Sequence, residues 1–278
     1  MSSEQLVNGR SGNIISPDDR GLMYGDGLFE TIAVIDGQPR YWDLHMDRLV
    51  TGSRRLGLPQ PPLATLREEA RYLVRHTQRG VIRIVYTRGG GEGRGYRPPA
   101  RPLVTRVVGM LPPPASPPEY RDGVAVRTCE TRLSIQPRLA GMKHLNRLEQ
   151  VLARSEWSDS AIAEGLMLDH NGFLVEATAA NVFAVRGDAL VTPPLDESGV
   201  EGVIRRVVLD RAPAEGLTVE LRRLYPEEVH QLDELFLTNS LIGVWPVREV
   251  DGVPIATGPV ARRFMELTGP HTFAPLGN

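Results

Sequence analysis

Cysteine and lysine are nearly missing from this 278-residue chain, which has one of each. With Cys129 alone no internal disulfide can form, and a chain so poor in thiols suits a reducing compartment. Cys129 itself reads as a small buried apolar residue in a strand. No apolar run approaches the length of a membrane span, and Met1–Arg10 lacks the apolar core of a signal peptide, so a soluble cytoplasmic protein is expected. No long basic run occurs either: the net charge is -2 and the isoelectric point near 6.3, which gives no footing for a nucleic-acid partner. The histidines (His45, His76, His144, His170, His230 and His271) show no paired metal-ligand spacing, so no metal site is expected. The glycine-rich stretch Gly89–Tyr96 lacks the Gly-Lys-Ser/Thr ending of a phosphate-binding P-loop, and no Gly-x-Ser-x-Gly elbow is present.

The lysine deficit is the more informative one. Of 32 Lys and Arg residues, only Lys143 is a lysine. Arginine can replace lysine wherever a surface cation suffices. It cannot do so where a primary amine must form an imine or carry a proton, because a guanidinium stays protonated. Lys143 is therefore a candidate Schiff-base residue.

The length suggests two domains with ample core. The clearest seam is Leu111–Pro118, whose five prolines in eight residues can continue neither a helix nor an interior strand. Before it, strands Leu28–Ile35 and Pro39–Trp42 flank an Asp36-Gly37 hairpin turn. Helical spacing covers Asp43–Leu56 and Leu63–Gln78, and buried strands are expected at Val81–Thr87 and Leu103–Val108. After it, strands near Val124–Thr131, Gly165–Leu168, Phe173–Glu176, Val182–Val185 and Leu235–Thr238 mix with helices near Asn146–Trp157, Gly202–Arg211 and Val260–Leu267. Hairpin signals recur at Asp122-Gly123, Asn171-Gly172 and Asp251-Gly252. The expectation is an α+β protein: an N-terminal domain over 1–110, a linker over 111–118, and a mostly antiparallel, barrel-like domain over 119–278.

A lysine enzyme with an aldehyde cofactor needs three further parts: an acid for a pyridine nitrogen, an anion cradle, and a cation near it. Glu176 ends a strand and is followed by Ala177-Thr178-Ala179-Ala180, where a flat ring meets no steric obstacle. Gly199–Arg205 opens a helix, whose free N–H groups favour a phosphate. Thr238-Asn239-Ser240 ends a strand with hydroxyl and amide donors, and Arg48 adds a cation on a helix. Each has an ordinary alternative: a solvated carboxylate, a plain turn, a strand end, a surface ion pair.

The segment Asp19–Thr31 (DRGLMYGDGLFET) resembles the opening motif of the fold-type IV pyridoxal-phosphate enzymes. Leu139–Gln150 (LAGMKHLNRLEQ), Arg88–Tyr96 (RGGGEGRGY) and Leu237–Val247 (LTNSLIGVWPV) are similar to the aminodeoxychorismate lyase branch of that family. The resemblance spans about Leu6 to Val247 and implies a small α/β N-terminal domain and a larger barrel-like C-terminal domain. It implies pyridoxal 5'-phosphate as cofactor, with Lys143 bonded to its aldehyde, Glu176 at its pyridine nitrogen, and Arg48, Val203, Ile204 and Thr238 at its phosphate. It also implies a homodimer, with the active site between the domains and near the subunit interface.

Two departures bear on the branch. Aminotransferases for D-amino acids tend to have Tyr where this chain has Phe29, and an Arg-x-His trap where it has Arg94-Gly95-Tyr96. Branched-chain aminotransferases place a tyrosine where it has Leu148. The lyase substrate is a dicarboxylate, so Arg94 and Tyr96 are candidates to hold a carboxylate, with Thr31 a polar neighbour of the reacting face. The implied activity converts 4-amino-4-deoxychorismate to 4-aminobenzoate and pyruvate in folate biosynthesis. An aminotransferase of the same fold acting on D-amino or branched-chain amino acids is the alternative, followed by a non-catalytic pyridoxal-phosphate-binding protein.

Overall fold

The computed structural model describes residues 4–91, 95–115, 117–269 and 272–273. Two compact units emerge: Met1–Pro114 with Met142–Asn146, and Ala115–Gly141 with Arg147–Asn278.

The first unit contains β1 (Gln5–Val7), β2 (Arg10–Ser11), α1 (Arg20–Tyr24), β3 (Gly27–Ile35), β4 (Gln38–Pro39), α2 (Trp42–Leu56), α3 (Leu63–Val74), β5 (Arg79–Gly90) and β6 (Leu103–Leu111). Its strands form one sheet in the order β2-β1-β6-β5-β3-β4. Asp36 and Gly37 both have positive φ (53° and 68°), the conformation a two-residue hairpin turn demands. Trp42, expected at a strand end, instead opens α2. The helix α3 stops at Val74, short of the expected Gln78. The Thr77 N–H bonds back to the Val74 carbonyl, and the Gln78 carbonyl is taken by Gly37 at the hairpin. The strand β6 runs on to Leu111, because a strand needs no N–H from the prolines that follow.

Alternation along β3 sends Leu28, Glu30, Ile32 and Val34 to one face and Phe29, Thr31 and Ala33 to the other. The helix α2 packs on this strand and buries Trp42, His45, Met46 and Leu49.

The second unit contains β7 (Val124–Thr128), α4 (Leu148–Arg154), β8 (Ile162–Leu168), β9 (Leu174–Ala177), β10 (Asn181–Arg186), β11 (Ala189–Thr192), α5 (Val203–Arg211), β12 (Thr218–Leu221), β13 (Glu234–Asn239), β14 (Gly243–Val250), β15 (Val253–Pro254) and α6 (Pro259–Thr268). The strands follow the order β12-β11-β10-β13-β14-β7-β8-β9, and β9 also pairs with β10. That last pairing closes β10-β13-β14-β7-β8-β9 into a barrel. Every barrel strand contributes to one apolar core, among them Val126, Leu166, Leu174, Val182, Leu237 and Val247. On the other face of β10 and β13, Phe183 stacks on Phe236 and Phe236 on Phe264 of α6, at centroid separations of 5.1 and 6.0 Å.

Asp122-Gly123 does not make a hairpin. Pro117 and Pro118 leave no strand before the turn; instead β7 lies parallel to both β14 and β8. Asn171-Gly172 and Asp251-Gly252 do join antiparallel neighbours, β8 to β9 and β14 to β15. The helix expected over Asn146–Trp157 is only Leu148–Arg154. At its end the Ser155 hydroxyl bonds the Val151 and Leu152 carbonyls, and the Trp157 indole turns to donate to the Ile162 carbonyl. Cys129 is buried, one residue past the end of β7. Among the described residues no helix is long and apolar enough to cross a membrane.

Candidate functional site

In the first unit, Met142–Asn146 lies along the edge of β3 that β5 leaves open. The Phe29 N–H donates to the Lys143 carbonyl at 3.0 Å, and the Leu145 N–H to the Gly27 carbonyl at 3.1 Å. Asn146 secures the far end through its Nδ2, which donates to the Gly25 carbonyl at 3.1 Å. Backbone pairing therefore fixes where the lysine starts, and its side chain reaches Phe29. Lys143 Nζ stands 4.3 Å from the centroid of that ring. By alternation Thr31 shares the Phe29 face of β3 and is half-buried there.

On the opposite face lies a buried charge cluster that motif reading missed. Glu30 accepts from Arg48 Nε at 2.8 Å and Nη2 at 2.5 Å, and from His45 Nδ1 at 2.6 Å. Burial alone would raise the Glu30 pKa, yet Arg48 and His45 hold it down at about 2. Burial also lowers His45, against the pull of Glu30. A neutral imidazole donating from Nδ1 to an ionised Glu30 follows. Arg48 is thus neither a surface ion pair nor a loose cation: two of its nitrogens are held by Glu30. The signal in the sequence was a glutamate inside an otherwise apolar strand.

Tyr96 is 84% exposed, but its backbone is anchored. Arg20 donates to the Gly95 and Tyr96 carbonyls at 2.9 and 3.0 Å while its Nε bonds Asp26. The Tyr24 and Tyr96 rings lie 5.4 Å apart. Arg94 lies outside the described residues.

The second unit gathers Glu176, the start of α5 and Thr238 around one residue, Asn181. Asn181 pairs in register with Glu176 on β9 and with Thr238 on β13. Its Nδ2 donates to the Val200 carbonyl at 2.8 Å and, at 3.4 Å, to Glu176 Oε2. Glu176 Oε2 also accepts the Val200 N–H at 2.9 Å. Glu176 is buried, so the solvated-carboxylate alternative falls. It also lies in the fields of Arg147 and Arg205, two guanidiniums whose pKa burial lowers and Glu176 raises. Gly199 needs to be glycine twice over: its φ is 84°, and a Cβ there would come 3.2 Å from Glu176 Oε2.

Gly202 caps α5 with no side chain, and a Cβ on it would stand 2.0 Å from Asn181 Oδ1. The backbone at Val203 and Ile204 thereby starts the helix bare, with N–H groups that have no acceptor within the helix. The Thr238 hydroxyl is buried and has no hydrogen-bond partner among the described residues. An orphaned buried hydroxyl costs free energy unless a ligand completes it. Helix N–H groups and a hydroxyl are the donor set of a phosphate site, and a buried carboxylate near it suits a cationic ring nitrogen. Asn181 was legible only as a polar residue bracketing, with Glu176, four small residues.

Known proteins resemble this chain in sequence and in fold. A solved structure of 4-amino-4-deoxychorismate lyase from Pseudomonas aeruginosa superposes with a TM-score of 0.91 at 44% identity, covering 95% of this chain and 97% of that one. Aminodeoxychorismate lyase of Vibrio harveyi is 38% identical over 87% of this chain and 89% of its own length. A putative branched-chain-amino-acid aminotransferase of Methanocaldococcus jannaschii is 34% identical over 86% of this chain and 83% of its own. Residues 27–250 match the model of the amino-transferase class IV family, and the chain belongs to that family.

Proposed function

We propose that this chain is a pyridoxal-phosphate-dependent carbon–oxygen lyase that converts 4-amino-4-deoxychorismate to 4-aminobenzoate and pyruvate. The observation that carries the reading is the likeness to lyases, at 44% and 38% identity over nearly the whole chain, against 34% for the aminotransferase relative. Two residues support it. Phe29 places a ring without a hydroxyl beside Lys143, where D-amino-acid aminotransferases tend to have Tyr. Leu148 stands where the branched-chain enzymes carry a tyrosine.

Each unit holds groups of the kind the cofactor needs. Val203 and Ile204 offer helix N–H groups to its phosphate, Thr238 the orphaned hydroxyl, and Arg48 a cation oriented by Glu30. Glu176 supplies the negative charge that keeps a pyridine nitrogen protonated, with its carboxylate fixed by Val200 and Asn181. When bound, pyridoxal phosphate supplies an aldehyde that condenses with primary amines and a protonated ring that accepts electrons.

Lys143 Nζ takes the proton from the substrate carbon that bears the amine, acting as a general base. The ether C–O bond to the enolpyruvyl group breaks and the six-membered ring becomes aromatic. The group departs as the enolate of pyruvate and takes up a proton at its methylene carbon, with Lys143 as the donor. Atoms and electrons balance without an acceptor keto acid. Arg94, Tyr96 and Thr31 are the residues assigned to the substrate, Arg94 pairing with a carboxylate by charge-assisted hydrogen bonds. Self-association into a homodimer is part of the proposal. The stripe Leu148, Val151 and Leu152 on α4, each at least 60% exposed, is an apolar face for a second copy. The cytoplasm is the proposed location.

The test is turnover without a keto acid. Given 4-amino-4-deoxychorismate alone, the cofactor-loaded protein should release 4-aminobenzoate and pyruvate in equal amounts over many turnovers, and Lys143→Arg should release neither. Product that stops at one equivalent per site, while D-alanine with 2-oxoglutarate turns over freely, would replace the lyase with an aminotransferase.

A further inference from the structure

The proposed chemistry leaves several buried carboxylates unused, Glu164 among them. Glu164 lies on β8 and is only 7% exposed. Its Oε1 accepts the Gly165 N–H at 3.0 Å and the Thr178 hydroxyl, and its Oε2 accepts the Ala179 N–H at 3.1 Å. Two of those donors belong to the turn between β9 and β10. That turn is closed by Ala177 N–H to the Ala180 carbonyl at 2.7 Å and tied again to β8 by Thr178 N–H to the Gly165 carbonyl at 2.9 Å. On the other side, Asn239 Nδ2 donates to the Ala179 carbonyl at 3.0 Å. The two residues flanking the turn, Glu176 and Asn181, are the ones assigned above to the cofactor ring and its surroundings.

We propose that Glu164 is a positioning residue: it clamps the Thr178–Ala180 turn to β8 and thereby fixes Glu176 and Asn181 at the cofactor. The service to the cofactor rests on the reading given under Proposed function; the clamp itself does not. A turn of small residues has little side-chain packing with which to hold its own place. A carboxylate is suited to the task because it only accepts, and here it faces two backbone N–H groups and a hydroxyl that can donate. Glutamine cannot replace it without conflict. Whichever oxygen became the amide nitrogen would point N–H at the N–H of Gly165 or of Ala179, leaving a buried donor unpaired. Burial raises the Glu164 pKa while Thr178, Gly165 and Ala179 oppose the rise.

The test compares the parent with Glu164→Gln by amide hydrogen exchange without cofactor, then with pyridoxal phosphate added. Loss of a bond to a charged acceptor should speed exchange at Ala179 roughly tenfold or more. The Val200 amide, which reports on Glu176 because it donates to that carboxylate, should accelerate with it. With cofactor, the pH at which its absorbance changes should shift and its affinity fall by roughly tenfold, the factor that one charge-assisted hydrogen bond supplies. A Glu164→Gln protein that melts earlier yet keeps parental exchange at Ala179 and Val200, and parental absorbance against pH, would overturn the proposal. Should Glu164→Gln fail to fold, Thr178→Val removes one donor and spares the carboxylate. It should shift the same readouts in the same direction by less, and no shift would again overturn it. If the parent takes up no pyridoxal phosphate, the functional reading fails, while exchange at Ala179 and Val200 still decides the clamp.

Discussion

Glu30 in the first unit and Glu164 in the second are both almost fully buried, at 1% and 7% exposed, yet their environments push them in opposite directions. Glu30 is held at about 2 and Glu164 is raised above 4.5. Burial works against the charged form in each case. The difference is the partner: Glu30 has a bidentate guanidinium, whereas the bonds to Glu164 come from neutral N–H and O–H groups. The same contrast runs through the two sets of candidate site residues. The first unit works with formal charges, Lys143 and the Glu30–Arg48 pair. The second holds Glu176 with the Val200 N–H and the Asn181 amide, in the fields of Arg147 and Arg205, and offers a phosphate N–H groups and a hydroxyl. A fixed ion pair orients a cation but leaves it less to offer a ligand, while uncommitted donors keep their full capacity until the ligand arrives.

The linkage signs differ accordingly. The depressed pKa of Glu30 contributes stability above 4.5 that is lost as pH falls from there towards about 2. His45 is also depressed, so the unfolded chain takes up its proton first and stability falls as pH drops below 6.5. Glu164 is raised, so its contribution is present below 4.5 and fades as pH rises through its folded value.

The largest expected effect comes from removing Glu30. Glu30→Ala leaves the Arg48 guanidinium, 13% exposed, without its carboxylate, and breaking a buried pair from one side costs about 3–5 kcal/mol. Urea unfolding at neutral pH should show that loss. The parent's decline in stability between pH 4.5 and 2 should flatten in the variant, because the group responsible is gone. A cost below about 1 kcal/mol would mean that the cluster behaves as a surface pair, and the contrast with Glu164 would collapse.

Next comes Glu176→Gln. The amide keeps the shape, and its oxygen can still accept the Val200 N–H, but no negative charge remains to hold a proton on a pyridine nitrogen. Turnover should fall on the order of 10²-fold, as when a preorganised electrostatic partner is removed. The melting temperature should move less than in Glu30→Ala, since glutamine keeps an acceptor for the Val200 N–H, whereas alanine at position 30 removes every oxygen that Arg48 and His45 bond there. Unchanged turnover would take Glu176 out of the chemistry and leave it a structural link between β9 and Val200.

What the sequence made legible follows from how each feature is encoded. Strands such as β3 and β13 announce themselves by apolar runs, and the lysine by its singularity. Gly199–Arg205 was legible as a helix start because glycines and the apolar run sit next to one another in the chain. The barrel's closure was not, since it depends on β9, four residues long, pairing on both sides. β11, β12 and β14 escaped notice for a related reason. Gly187 stands just before β11 and Gly243 at the start of β14, Pro246 lies within β14, and β12 pairs with β11 in parallel across the intervening helix α5. Glu30, Glu164 and Asn181 are single polar residues in apolar surroundings, and only the fold shows which donors surround them. A polar residue in a strand is ambiguous until its neighbours are known.

The smallest expected effect gives the sharpest contrast between the units, because its two consequences have opposite signs. The Thr238 hydroxyl is buried and unpartnered among the described residues. Valine has nearly the same shape and no polar group to leave unsatisfied. Thr238→Val should therefore stabilise the cofactor-free protein, by up to about 1 kcal/mol, since an unpaired buried hydroxyl is unfavourable. It should weaken pyridoxal phosphate binding by roughly tenfold, because one hydrogen bond to a charged phosphate is lost. Thermal melting without cofactor and a fluorescence titration with it measure the two halves separately. In the first unit no such reversal is expected, since Glu30 serves stability and Arg48's orientation together. If Thr238→Val destabilised the cofactor-free protein and left the affinity unchanged, the hydroxyl would be a structural group and not a donor waiting for a phosphate.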